Sequence, residues 1–224
     1  MTSCLLADIG GTQARFALLS GSTVGPVYAV QVGMHADATQ AIRHFLSTTT
    51  EAAKIDRAVV AAAGPVSGGR CKLTNTNWTL DTAELRKAFG LSTVKFVNDL
   101  EALAWSLPHL VSADCAQIGH GHSVTAEPMA VISPGTGLGM ACFLPNGLGR
   151  ALASEGGHAT LAATGPQEAV LITLLQKRHS HVSAERVLSG QGLVNLYDAL
   201  AEQAGLTVEP PTPAQITRAA MEGS

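Results

Sequence analysis

The 224-residue chain is 46% apolar and only 14% charged, a globular balance without the charge excess of disorder and long enough for one large core or two smaller ones. The 14 basic and 17 acidic residues leave a formal charge of −3, and no Lys/Arg run marks a nucleic-acid or membrane surface. The start MTSCLLADIGG lacks a secretory pattern, no stretch is long enough to span a bilayer, and Cys4, Cys71, Cys115 and Cys142 are scattered without C-x-x-C, so a cytoplasmic protein with reduced thiols is expected.

Residues 4–7, 15–19 and 27–32 read as three short strands, the first two joined by the turn DIGGTQA. A helix is predicted over 37–53, where Ala38, Ala41, Ile42, Phe45 and Leu46 recur at helical spacing. The run RAVVAAAG (57–64) has the character of a buried strand, ended by Gly64-Pro65. Asp81 opens a short helix to Phe89, with Gly90 as its stop. Strand 94–97 halts at Asn98-Asp99, and a helix over 99–107 follows, with Leu100, Leu103, Ala104 and Leu107 on one face and Pro108 closing it. GHGHSVTAEP (119–128) is a polar loop, and MAVIS, PGTGLG and MACFL read as strand, turn and strand. Helices fit 166–178, 190–204 and 213–221. Strands alternating with helices predict an α/β architecture, divided near residue 109 into lobes 1–108 and 109–224.

Two Gly-rich turns carry the first chemical signal. In Asp8-Ile9-Gly10-Gly11-Thr12-Gln13, paired glycines after a strand let backbone N–H groups approach an anion, and the Thr12 hydroxyl is a further donor. Asp8 at the strand end can hold the water shell of a Mg²⁺ ion. Gly135-Thr136-Gly137-Leu138-Gly139 repeats the theme between two apolar strands, and it is neither a Walker A loop nor G-x-G-x-x-G. Each turn alone is as well read as an ordinary hairpin; two of them, each with a Thr beside glycine, point to phosphate.

Asn98-x-x-Glu101 fits a helix capping box, which accounts for Asn98 and leaves Asp99 as either a favourable first-turn acid or a proton acceptor. Glu155-Gly156-Gly157-His158 offers a carboxylate and an imidazole joined by flexible glycines, without the spacing of a metal site. Glu185 in HVSAERVLSG is a first-turn acid by local pattern, and the pairs His120/His122 and His179/His181 read as solvated loops. Taken together, phosphate turns with Asn, Asp, Glu and His suggest a polyol and a polyphosphate in one site, the parts that phosphoryl transfer needs.

LLADIGGTQARFAL, AAAGPVSGGRCKLTNTNW, FVNDLEALAWSLP, PGTGLGMA, SEGGHATLA and SAERVLSGQGLVNLYDAL, in that order, resemble the bacterial glucokinases. The resemblance covers essentially the whole chain, and the cysteine-rich zinc motif of the related ROK sugar kinases is not there. It implies an actin-like (ribonuclease H-like) ATPase fold of two lobes and the use of ATP and Mg²⁺ to make glucose 6-phosphate. It also implies a general base at Asp99, sugar ligands at Asn98, Asp99, Glu155, His158 and Glu185, and phosphate contacts at Asp8, Gly10, Gly11, Thr12, Gln13, Gly135, Thr136, Gly137 and Gly139. A homodimer is the family's expectation for assembly. Gln13 departs from the usual Asn and Pro134 from the usual small residue. Family members also continue past the point matching Ser224 with segments that help hold adenosine, so the second lobe is expected to be incomplete and the nucleotide site partial. A kinase for another hexose, or a non-catalytic sugar-binding module derived from a kinase, would use the same sugar ligands; both Asp99 and the DIGGT loop, which a module could lose, are present.

Overall fold

The computed structural model describes residues 3–49, 54–73, 76–124 and 126–223. In chain order these form β1 (Ser3–Ile9), β2 (Gln13–Ser20), β3 (Thr23–Val24), β4 (Tyr28–Gln31), α1 (Ala38–Thr48), β5 (Ile55–Ala62), β6 (Val66–Ser67), β7 (Arg70–Lys72), β8 (Thr79–Asp81), α2 (Thr82–Phe89), β9 (Thr93–Asn98) and α3 (Asp99–Ser106). There follow β10 (Met129–Pro134), β11 (Leu138–Leu144), β12 (Arg150–Ser154), α4 (Pro166–Gln176), α5 (Gly190–Gln203) and α6 (Pro213–Glu222). The chain divides into two compact units, Met1–Leu103 and Ala104–Ser224, the cut falling inside α3.

The first unit is built on a sheet of order β3-β2-β1-β5-β9, with β4 also pairing β2. Strict alternation in β1 buries Ser3, Leu5, Ala7 and Ile9, the period-two signature of a strand with one face in a core. Leu5, Phe16, Val60 and Phe96 join Ala41, Ile42 and Phe45 of α1 and Leu85 of α2 in one cluster, and the Phe16 and Phe45 rings stack at 5.6 Å. Full burial of each such side chain contributes about 1.5–3 kcal/mol, which is why α1 forms where its apolar face meets the sheet. Asp37 caps α1 by accepting from the Gln40 N–H at 2.7 Å, and Asp81 caps α2 by accepting from Ala83 and Glu84. Gly90, at φ 66°, ends α2 in the left-handed conformation that glycine adopts without strain. The sequence extends α1 to residue 53; helix is described to Thr48, and residues 50–53 lie outside the described set.

β1, β5 and β9 run parallel and end in register, Ile9 opposite Ala62 and Ala62 opposite Asn98. Three chain segments therefore leave the sheet from one edge: the Gly10–Thr12 turn, Ala63-Gly64, and Asn98-Asp99. The carboxyl ends of parallel strands are where open α/β sheets place ligands. A small sheet of order β6-β7-β8 follows β5; its strands of two or three residues are too short to announce themselves by periodicity.

The second unit carries an antiparallel sheet of order β10-β11-β12, in which β12 was not foreseen. PGTGLG closes the β10–β11 hairpin, with Pro134 opposite Leu138 and the Gly135 N–H donating to Gly137 O at 2.8 Å. Leu175 of α4, Ala199 of α5 and Val182 form a separate core cluster. α6 opens with a full capping box between Thr212 and Gln215.

Candidate active-site residues in each unit

In the first unit, DIGGTQA is a hairpin turn closed by the Gly10 N–H donating to Gln13 O at 3.0 Å, and Thr12 within it is exposed. Asp8 faces Arg15 across the hairpin, and the guanidinium bridges the Asp8 carboxylate (3.0 Å) and the Gln13 side-chain carbonyl (2.9 Å). The Gln13 carboxamide is thus engaged by Arg15 beside the phosphate-type turn, a pairing that the sequence did not suggest.

Asn98 does cap α3: its Oδ1 accepts from the N–H groups of Leu100 (3.0 Å) and Glu101 (3.3 Å), while its Nδ2 donates to Gly64 O at 3.5 Å. Asp99 is half-buried, with one carboxylate oxygen accepting from the Leu100 N–H at 3.0 Å. Burial pushes its pKa above the usual 3.8, the negative charge of Asp8 adds to the rise, and hydrogen bonds from the backbone and Asn98 oppose it. Capping by Asn98 is therefore real, and it leaves the neighbouring carboxyl in an environment suited to taking up a proton.

Gly64 and Cys71 complete this group, and sequence reading missed both. A Cβ on Gly64 would stand 2.7 Å from Lys72 O and 3.3 Å from Cys71 Sγ, so only glycine lets β7 press against the end of β5 beneath Asn98. Burial, and then the charge of Asp99, raise the Cys71 thiol pKa, which places that sulfur in the field of the carboxylate. The available signal was Gly64-Pro65, which reads as a strand stop and is also a packing requirement.

In the second unit, Glu185 reaches the other Gly-rich turn. Its Oε2 accepts from the Leu138 N–H at 2.9 Å, across 47 positions of sequence, and the Gly190 N–H donates to Gly135 O at 2.8 Å. His158, on a single 3-10 turn (Gly156–His158), lies with Nε2 3.6 Å from Glu155 Oε2 and Nδ1 3.9 Å from Glu185 Oε1. The imidazole therefore lies near two carboxylates, beyond hydrogen-bond distance of either. A cavity of about 310 Å³ opens here, lined by His158, Arg178, His179, His181, Glu185 and Arg186.

The glycines of Glu155-Gly156-Gly157-His158 are not there for flexibility, as the sequence suggested. A Cβ on Gly156 would stand 2.7 Å from Met140 Sδ, and one on Gly157 would run into the carbonyl of Leu138. Gly157 lets the 3-10 turn lie directly on β11. Ser189 fixes the other wall, donating to Glu185 O at 2.8 Å while its hydroxyl accepts from the Gly192 N–H at 3.0 Å to cap α5. His120 and His122 are exposed, His181 meets Thr160 Oγ1 at 2.9 Å, and the described residues hold no group of three or more His, Cys, Asp or Glu that could bind a metal.

The structure thus gathers Asp8, Gly10–Gln13, Asn98 and Asp99 at one sheet edge of the first unit. It gathers Glu155, His158, Glu185 and Gly135–Gly139 in the second. A family model described as Glucokinase matches residues 5–224. Among similar proteins, the glucokinase of Nitrobacter hamburgensis is 41% identical over 221 residues, covering 98% of this chain and 69% of that protein. The glucokinase of Paramagnetospirillum magneticum is 42% identical over 224 residues, covering 98% and 70%. A crystal structure of glucokinase from an Antarctic psychrotroph superposes with a TM-score of 0.87 at 36% identity, over all of this chain and 71% of that one. With the family's motifs in both units, the chain belongs to the glucokinase family and has the actin-like (ribonuclease H-like) ATPase fold.

Proposed function

We propose that Asp99 is the general base of the family reaction, ATP-dependent phosphorylation of glucose to glucose 6-phosphate, with Asn98, Glu155, His158 and Glu185 as sugar ligands. The observation that carries this reading is the half-buried Asp99 carboxyl at the end of β9, raised in pKa by burial and freed from sole responsibility for the cap by Asn98. As the sugar 6-hydroxyl oxygen bonds to the γ-phosphorus, its proton passes to Asp99, and the bond from that phosphorus to the bridging oxygen breaks to release ADP. A base whose pKa lies nearer the working pH is better matched to a weakly acidic hydroxyl, and such a group contributes about 10²–10⁴-fold. The rest of the acceleration comes from positioning and charge neutralisation.

Gly10, Gly11, Thr12, Gln13 and the Gly135–Gly139 turn are assigned to the phosphates, because both turns are tight, glycine-lined and solvent-facing at the ends of strands. Asp8 is the group suited to the water shell of Mg²⁺, its half-exposed carboxylate standing beside the first turn. Bound there with the nucleotide, the ion would offset the charge on the phosphate oxygens. Arg15 keeps Asp8 in place meanwhile. A cytoplasmic setting agrees with four free thiols and with the lack, among the described residues, of any helix long and apolar enough to cross a membrane.

The pH dependence tests the base. Asp99 must be ionised to accept the proton, so kcat/KM is expected to fall on the acid side with a midpoint above 3.8, and that limb to vanish in Asp99→Asn. An acid limb unchanged in the variant overturns the assignment.

A further inference from the structure

We propose that Glu185 has a second role, positioning the Gly135–Gly139 turn, so that sugar binding and the geometry of that phosphate turn are coupled inside the second unit. The inference rests on the reading of Glu185 as a sugar ligand. One carboxylate oxygen, Oε1, lies toward His158, and the other, Oε2, accepts the Leu138 N–H at 2.9 Å from within the turn. The contact is partly buried, so losing it leaves a backbone donor poorly solvated.

Gly137 is what permits this arrangement. A Cβ at that position would overlap Glu185 Oε2 itself, so the turn and the carboxylate cannot both keep their places if residue 137 carries a side chain. The two segments are tied again by the Gly190 N–H on Gly135 O at 2.8 Å, and Ser189 holds the Glu185 carbonyl from below at 2.8 Å. Glu185 therefore cannot shift toward a sugar without moving Leu138 N, and the turn cannot shift toward a phosphate without moving Glu185. Such coupling is reciprocal by thermodynamic necessity.

The prediction is a cross-effect. Gly137→Ala, a change in the phosphate turn, should weaken glucose binding measured by calorimetry with no nucleotide present, by about five-fold or more, the lower end of ordinary coupling between sites. In ¹⁵N-labelled wild-type chain, glucose alone should shift the Leu138 amide resonance, a readout that a merely structural Glu185 would not move. Glu185→Gln keeps an acceptor oxygen and should leave that resonance near its unliganded position, whereas Glu185→Ala should displace it. If wild type binds glucose yet the Leu138 amide does not respond and Gly137→Ala binds equally well, the coupling is absent and only the sugar assignment survives. If wild type does not bind glucose at all, the sugar assignment fails and the coupling with it. Where Gly137→Ala does not fold, the wild-type amide response decides alone.

Discussion

The two units hold their candidate site residues by different means. In the first, Asp8, Gly64, Asn98 and Asp99 stand at the ends of parallel strands whose register is fixed by a continuous core from Leu5 to Phe96. In the second, His158 and Glu185 stand on 3-10 turns and Glu155 just before one, positioned by close backbone approach at Gly157 and by single hydrogen bonds from Leu138 and Ser189. Its described cluster of Leu175, Val182 and Ala199 is small, and Leu138, Ala141, Phe143 and Ala151 are buried in its sheet. Core packing holds the backbone around Asp99, whereas around Glu185 specific polar contacts act together with the burial of Leu138 and Val182. Sites on strands inherit the stability of the sheet; sites on turns depend on a few named bonds.

Substitutions can break or sharpen this contrast. The largest effect is expected from Phe16→Ala, which removes a fully buried ring stacked on Phe45 and should cost about 3–5 kcal/mol in denaturant unfolding. Loss of the first unit's site should follow that unfolding and not precede it. Ser189→Ala should cost only about 1 kcal/mol, as the loss of one helix cap, yet weaken glucose binding because it frees the Glu185 backbone. A disproportion of that kind, small in stability and visible in binding, is what a turn-held site predicts; equal changes in both would erase the contrast.

The smallest stability effect has the opposite sign. Folding raises the pKa of Asp99, so the folded chain binds that proton more readily than the unfolded chain does. Its ionisation therefore opposes folding: the penalty is absent well below 3.8, develops as pH rises from 3.8 to the raised value, and is complete once pH has passed that value. Asp99→Asn should accordingly raise the melting temperature slightly at pH 7 and have no such effect in strong acid. A lower melting temperature at pH 7 would mean that the carboxylate's hydrogen bond to Leu100 outweighs its desolvation.

Most elements were legible because they obey a period. β1, β5 and β9 announce themselves as apolar runs, and α1 by its Ala41, Ile42 and Phe45 stripe. The β6–β8 sheet and β12 were not, since strands of two or three residues have no period and Arg150–Ser154 holds only one large apolar residue, Leu152. The candidate site residues were reached through family motifs, and the Asn98 cap through cap chemistry. What the sequence could not supply is which groups meet: Leu138 N–H on Glu185 across 47 positions, Asn98 on Gly64 O across 34, and Arg15 spanning Asp8 and Gln13. Glycine was misread for a related reason. At Gly64 and Gly157 its value lies in the absent Cβ against a backbone neighbour that only the folded chain brings close.

The most direct test is glucose-dependent ADP formation by this chain with Mg²⁺ and ATP, compared with Asp99→Asn, together with calorimetric glucose binding by both. The account predicts turnover that drops about 10²–10⁴-fold in the variant while glucose affinity stays within a few-fold of wild type. Turnover maintained within a few-fold in Asp99→Asn would contradict it.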